Sequence, residues 1–319
     1  PGSAGATGRP DGGNEVWIGY TDHVTPYRVL HYDIGSGSLQ PYADPPGAVE
    51  IKDVVAKQVF YTSKDGTRVP MFVLHSADAP PDGRRPTILY GYGGFNGSQT
   101  PGYSSSITTW VQAGGVYALA CLRGGGEYGE QWHRAGMREN KQNVFDDFIA
   151  AGEWLIDNGY TSGENLGISG GSNGGLLVGA ALVQRPDLFR AVVCSAPLLD
   201  MVRYEQFGLG VTWNDEYGTA AKPEELEWLL SYSPYHHVRE ATAYPAVLFT
   251  VFESDTRVDP MHARKMCAAL QWATSSDRPV LMRREVNTGH GARSIGRTIE
   301  LSVDTQSFLA AHLGLDLPQ

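Results

Sequence analysis

Residues 165–184 read NLGISGGSNGGLLVGAALVQ. A short apolar stretch, of a length suited to a buried strand, runs into Gly170-Gly171-Ser172-Asn173-Gly174, and the residues beyond recur with helical period. G-x-S-x-G between a strand and a helix makes a sharp turn that holds one serine hydroxyl above the end of the strand. The glycines permit that turn and leave room beside Ser172 for a base and a substrate. A Gly/Ser turn in which Ser172 merely caps the helix would look the same in isolation. The strand before it and the helix behind it favour a nucleophile.

On both sides the same alternation continues. Apolar strands are expected at PTILYGY (86–92), GVYALACL (115–122), AVVCSAP (191–197), AVLFTVF (246–252) and VLMRREV (280–286), with a hairpin, VAKQVFYTS and VPMFVLHS, around KDGTR at 64–68. Between them lie amphipathic helical segments at 144–160, 173–185, 260–274 and 298–314. Strands rich in Val, Ile and Leu separated by helices predict a mainly parallel sheet covered on both faces, here an α/β-hydrolase fold over residues 48–319. Ahead of it, EVWIGY and PYRVLHYDI with a GSGS turn read as antiparallel strands over 15–47, resembling part of one blade of a larger all-β structure. Residues 1–14, PGSAGATGRPDGGN, have the composition of a linker or disordered end.

A serine is a poor nucleophile at neutral pH and needs a positioned base. In this fold the acid and then the histidine follow the serine, each beyond a later strand. Asp255 follows AVLFTVF and His290 follows VLMRREV, both at carboxyl ends of strands, where open α/β sheets build their sites. Taken singly, Asp255 could be a helix cap and His290 an exposed loop residue. Their order and placement after the elbow make a Ser172–Asp255–His290 triad. One oxyanion donor is expected from the backbone N–H of Asn173, and the Gly-rich turn Tyr90–Phe95 occupies the place of the second.

The formal net charge of −10 argues against a nucleic-acid partner, which needs a basic surface. No segment nears the ~20 apolar residues of a membrane span, and no secretory signal opens the chain. Three cysteines, Cys121, Cys194 and Cys267, form neither a metal-spaced pair nor a disulfide framework, which slightly favours a reducing compartment, the cytoplasm; the periplasm is the alternative if an upstream signal was removed. No histidine shows metal-ligand spacing, so neither metal nor organic cofactor is expected.

GYGGFN (91–96), RGGGEYGE (123–130), GGSNGGLL (170–177), SDTRV (254–258) and TGHG (288–291), in this order and spacing, resemble the catalytic domain of the prolyl oligopeptidase family over roughly residues 50–315. The resemblance implies a serine peptidase that cleaves short peptides after proline, with the Tyr92 hydroxyl sharing the oxyanion hole with Asn173. It implies a proline pocket from Phe95, Leu198, Trp213, Tyr217 and Val258, Leu198 standing at a position that is normally smaller. Arg257 would bind a substrate backbone carbonyl. Residues 15–45 resemble the last strands of that family's β-propeller, most of which is absent from these 319 residues. Rival readings are specificity for basic residues (Asp215 and Glu216 flank Trp213), aminopeptidase, esterase or macrocyclase action, and a non-catalytic hydrolase-fold module.

Overall fold

The structure is a computed structural model, which describes residues 1–44, 51, 53–78, 82–291 and 293–317. The expected boundary at 47/48 falls outside the described residues. Four strands, β1 (Gly2–Gly8), β2 (Glu15–Asp22), β3 (Arg28–Asp33) and β4 (Ser38–Ala43), form an antiparallel meander in chain order. β1 corrects the expectation of a linker over 1–14: all seven of its residues pair with β2, from Gly2 opposite Asp22 to Gly8 opposite Val16. The Gly- and Ala-rich composition hides this because edge pairing needs only backbone N–H and C=O groups, which these residues offer unobstructed. Ser3 Oγ donates to the Pro101 carbonyl at 2.7 Å and ties the strand to the rest of the chain.

The second sheet contains β5 (Val54–Thr62), β6 (Arg68–Ser76), β7 (Thr87–Gly91), β8 (Val116–Ala120), β9 (Leu166–Gly171), β10 (Ala191–Ser195), β11 (Ala246–Phe252) and β12 (Val280–Glu285), ordered β12-β11-β10-β9-β7-β8-β6-β5. The strands from β12 through β8 are parallel, and the β5–β6 hairpin closes one edge antiparallel. The helices are α1 (Ser105–Gln112), α2 (Glu130–Arg134), α3 (Gln142–Asp157), α4 (Asn173–Gln184), α5 (Asn214–Tyr217), α6 (Pro223–Tyr232), α7 (Met261–Ala273) and α8 (Ile295–Leu313).

The two-residue period of a strand sends its side chains to opposite faces. On β6, Val69, Met71 and Val73 join the core beneath α3, α4 and α7, while Phe72 and Leu74 join the core beneath α1 and α8. Strands covered on both sides must be apolar throughout, and every residue of β8 and β11 is buried. α4 is buried from Asn173 to Val183, so it too is apolar all round. Each fully buried Leu or Val there contributes about 1.5–3 kcal/mol. That cost of misplacement fixes β9 and α4, and with them the elbow. α1 and α6 escaped the periodic reading, although α6 opens with Pro223 followed by Glu224 and Glu225 in its first turn, a normal helix start.

Candidate active site

Ser172 sits between the last residue of β9 and the first of α4 with φ 57° and ψ −117°, a conformation that side-chain-bearing residues avoid. Its N–H is bonded to the Ser195 carbonyl at 2.9 Å. The turn is possible because a Cβ on Gly170 would stand 2.2 Å from the Gly174 carbonyl oxygen, and one on Gly174 would stand 2.8 Å from the Gly91 carbonyl oxygen. The Asn173 N–H, first in α4, makes no hydrogen bond among the described residues. The helix N-terminus adds partial positive charge at that point. An anion forming beside Ser172 therefore finds a free donor.

The second half of the expected hole is the loop after β7. Tyr92 lines the same cavity as Ser172. Burial raises the pKa of its phenol, as do Tyr90 and Glu216, against the opposing hydrogen bond of Ser172 and the charge of Arg257. A phenol held protonated is a hydrogen-bond donor at neutral pH, as an oxyanion requires.

Asp255 and His290 meet at the carboxyl ends of β11 and β12. His290 Nδ1 lies 2.6 Å from Asp255 Oδ2, and Asp255 Oδ1 accepts the backbone N–H groups of Arg257 (2.9 Å) and Val258 (3.0 Å). Burial works to raise the Asp255 pKa, but the bonds from His290, Val258 and Arg257 outweigh it, and the net direction is down. A carboxylate so held fixes the Nδ1–H tautomer and leaves Nε2 as acceptor. No hydrogen bond joins the His290 imidazole to the Ser172 hydroxyl among the described residues. Such bonds tighten when substrate fills the site.

A cavity of about 320 Å³ opens at Ser172 and is lined also by Tyr92, Phe95, Leu198, Leu209, Trp213 and Arg257. Phe95 stands edge-on to Trp213 (centroids 6.5 Å apart) and to Tyr217 (5.6 Å). Of the residues implied by the sequence resemblance, Tyr217 and Val258 are buried and do not line this cavity. The Tyr217 hydroxyl is spent on Asn173 Oδ1 at 2.8 Å, so its place is behind the wall. Leu209 was missed because a lone Leu in a loop carries no periodic signal; its N–H donates to the Arg257 carbonyl at 3.3 Å. Neither carboxylate beside Trp213 faces the cavity: Asp215 is exposed beside Glu130 and Arg138, and Glu216 is buried, accepting the Phe95 N–H at 3.0 Å.

Behind the cavity wall, His262 of α7 accepts the N–H groups of Leu199 (3.3 Å) and Asp200 (3.1 Å) on Nδ1, anchoring the segment that carries Leu198. Burial lowers its pKa from 6.5 to about 4, against the nearby charges of Asp200 and Asp259. As pH falls the unfolded chain takes up this proton first. The stability due to neutral His262 is therefore whole above about pH 6.5 and is lost progressively toward pH 4. We expect this group to contribute about 3 kcal/mol across that window. Denaturant titrations of the wild type and His262→Gln at pH 7, 6 and 5 check it. A stability gap between the two that does not change with pH would remove His262 as the source.

Residues 101–316 match the family described as the prolyl oligopeptidase family. Among curated proteins, the prolyl endopeptidase of Elizabethkingia miricola is 43% identical over 316 residues, covering 98% of this chain and 45% of its own length. A solved chain from a study of two prolyl endopeptidases and the role of inter-domain dynamics in their catalysis and specificity superposes with TM-score 0.94 at 51% identity, over 99% of this chain and 47% of that one. Prolyl oligopeptidase B of Galerina marginata, solved with a 25mer macrocyclization substrate, superposes with TM-score 0.93 at 35% identity, over 99% of this chain and 45% of that one. The chain thus spans about half the length of the curated relatives it matches.

Proposed function

This chain belongs to the prolyl oligopeptidase family, and on that premise we propose that it cleaves short peptides on the carboxyl side of proline through an acyl-enzyme on Ser172. The observation that carries the reading is the cavity at Ser172, walled by Trp213, Phe95 and Leu198 and with no carboxylate among the described residues that line it. A flat indole stacks on a pyrrolidine ring, whereas an arginine or lysine there would lose water with no counter-charge. The engagement of Glu216 with the Phe95 N–H weighs against specificity for basic residues.

In this mechanism the substrate carbonyl points toward the Tyr92 hydroxyl and the Asn173 N–H. Ser172 Oγ bonds to the carbonyl carbon while His290 Nε2 takes its proton, and the carbonyl oxygen becomes the anion in the hole. The intermediate collapses as the C–N bond breaks, and His290 passes the proton to the departing amine. Water repeats the sequence and frees the acid. Asp255 holds the imidazole tautomer and stabilises the imidazolium. Arg257, on the cavity rim, would bind a backbone carbonyl of the substrate.

The four-stranded meander over 2–43 fits a closing blade of a β-propeller, which is built from such sheets. The remainder of the propeller, elsewhere in the protein, would then gate access by size. Among the described residues no helix is long and apolar enough to cross a membrane. The three buried, unpaired thiols support a cytoplasmic location.

A panel of blocked fluorogenic peptides ending in Gly-Pro, Gly-Arg and Gly-Ala tests the specificity. We expect Gly-Pro to lead in kcat/KM, and Trp213→Ala to cut that lead by about 10–200-fold, the range for losing a hydrophobic pocket contact. Equal rates for Gly-Arg and Gly-Pro would refute the proline pocket.

A further inference from the structure

Lys141 precedes the first turn of α3 and is 1% exposed, yet it is neither a triad member nor part of the cavity wall. Desolvating an ammonium costs several kcal/mol unless its protons are matched. Here they are: Nζ donates to the Gly93 carbonyl (3.0 Å), to Asn173 Oδ1 (3.2 Å) and to Glu216 Oε1 (3.5 Å). These acceptors belong to three separate pieces of the site, namely the loop after β7, the first residue of α4, and α5.

The same pieces are cross-tied around the lysine. Asn173 Nδ2 donates to the Tyr92 carbonyl at 2.6 Å, and the Tyr217 hydroxyl donates to Asn173 Oδ1 at 2.8 Å. Glu216 accepts the Phe95 N–H on Oε1 (3.0 Å) and lies 2.8 Å from His133 Nε2 through Oε2. Phe95 and Asn96 have φ of 54° and 55°, a left-handed stretch that a bulky residue adopts only at a cost of about 1–2 kcal/mol. The Glu216 bond sits at that strained residue. There is no slack at the next position either, since a Cβ on Gly94 would stand 2.5 Å from Asn173 Nδ2.

The geometry points to Lys141 as a positioning residue that, with Glu216, holds the loop bearing the Tyr92 hydroxyl in register with the helix end bearing the Asn173 N–H, and so sets the width of the oxyanion hole. This rests on the reading of Ser172 as the nucleophile of an amide-cleaving enzyme. The ammonium touches no reacting atom. Because Glu216 lies beside it with opposite charge, its effect is one of geometry rather than field. Burial pushes the lysine pKa down while Glu216 pushes it up, as expected of a charge kept inside for its hydrogen bonds.

The test is a double-variant cycle in the full-length protein, using whichever fluorogenic peptide amide the wild type cleaves best. Tyr92→Phe removes one oxyanion donor and should lower kcat by about 10²-fold. Lys141→Met should lower kcat by about 10–100-fold while KM stays within about threefold, because the loss lies in the transition state. The double variant should fall no more than about threefold below Tyr92→Phe alone, since a hole already missing that donor gains little from being held in register. Losses that multiply, or a rise in KM at unchanged kcat, would overturn the inference. If Lys141→Met does not fold, Tyr217→Phe replaces it in the cycle, since it removes only the bond to Asn173 Oδ1; a smaller loss that again fails to multiply supports the role, and a multiplicative one overturns it. Undiminished cleavage by Ser172→Ala would instead overturn the functional reading, so the two failures are told apart.

Discussion

Ser172→Ala is expected to lower kcat for a blocked Gly-Pro amide by about 10⁶-fold and to leave the melting temperature unchanged, because in the proposed mechanism it removes the nucleophile and nothing else. The elbow tolerates the change. Alanine keeps the Cβ that the φ of 57° already accommodates, and the Ser172 N–H bond to the Ser195 carbonyl is a backbone bond. His290→Ala should cost about as much, and the pair together little more than either alone, since nucleophile and base act as one unit. This holds although, among the described residues, the imidazole is bonded to Asp255 and not to the Ser172 hydroxyl: in the proposed mechanism the base is oriented beforehand, and substrate completes the line. Cleavage by Ser172→Ala within about tenfold of wild type would remove Ser172 from its role. Full activity in His290→Ala would mean that another group takes the proton. Labelling by a fluorophosphonate probe, lost in Ser172→Ala, separates an active hydrolase from a silent scaffold before any substrate is found.

The elbow was legible from residues 165–184 because every local signal there agrees: an apolar strand, glycines where a Cβ would strike backbone, and a helix apolar on all sides. Sheet and crossovers followed from composition, since strands covered on both faces have no freedom to be polar. The placement of Asp255 and His290 followed from order along the chain, a topological rule rather than a local one. What stayed hidden depends on contacts between distant segments. A lysine at the start of a helix reads as a solvated charge, and only the fold reveals that Lys141 is enclosed by residues 48 and 75 positions away. Glu216 looked like a candidate for binding a basic side chain because it neighbours Trp213 in sequence. In space its carboxylate turns away to the Phe95 N–H and His133. β1 was missed for the opposite reason, since its glycines and alanines carry no side-chain signal and its partner supplies the order.

The largest expected loss of stability lies at another group that sequence alone leaves unremarked. Arg123, at the head of the RGGGEYGE stretch, is 4% exposed, and Asp147 of α3 is 0% exposed. The guanidinium donates to Asp147 through Nη2 (2.6 Å) and Nε (3.0 Å to Oδ2), and reaches Asp65 in the β5–β6 turn through Nη1 at 2.5 Å. The bond from Arg123 holds the Asp65 carboxyl down at about 2 against some burial. Burial pushes the Asp147 pKa up, and Arg123 opposes it. Arg123→Met leaves Asp147 buried without its cation, so the carboxyl must either hold an unpaired charge or take up a proton, which costs about 3–5 kcal/mol. Arg123→Met with Asp147→Asn should be more stable than Arg123→Met alone, because the amide is neutral and its oxygen can still accept the backbone N–H of residue 123, now bonded to Asp147 Oδ2 at 3.1 Å. Denaturant midpoints of the three proteins at neutral pH give the comparison. The loss should also reach the site, since the Gly124 carbonyl accepts the Asn96 N–H at 3.1 Å, directly beside the strained Phe95. An Arg123→Met protein within about 1 kcal/mol of wild type, or a double variant weaker than the single one, would mean that water reaches Asp147 and that the pair is not the buried clamp described here.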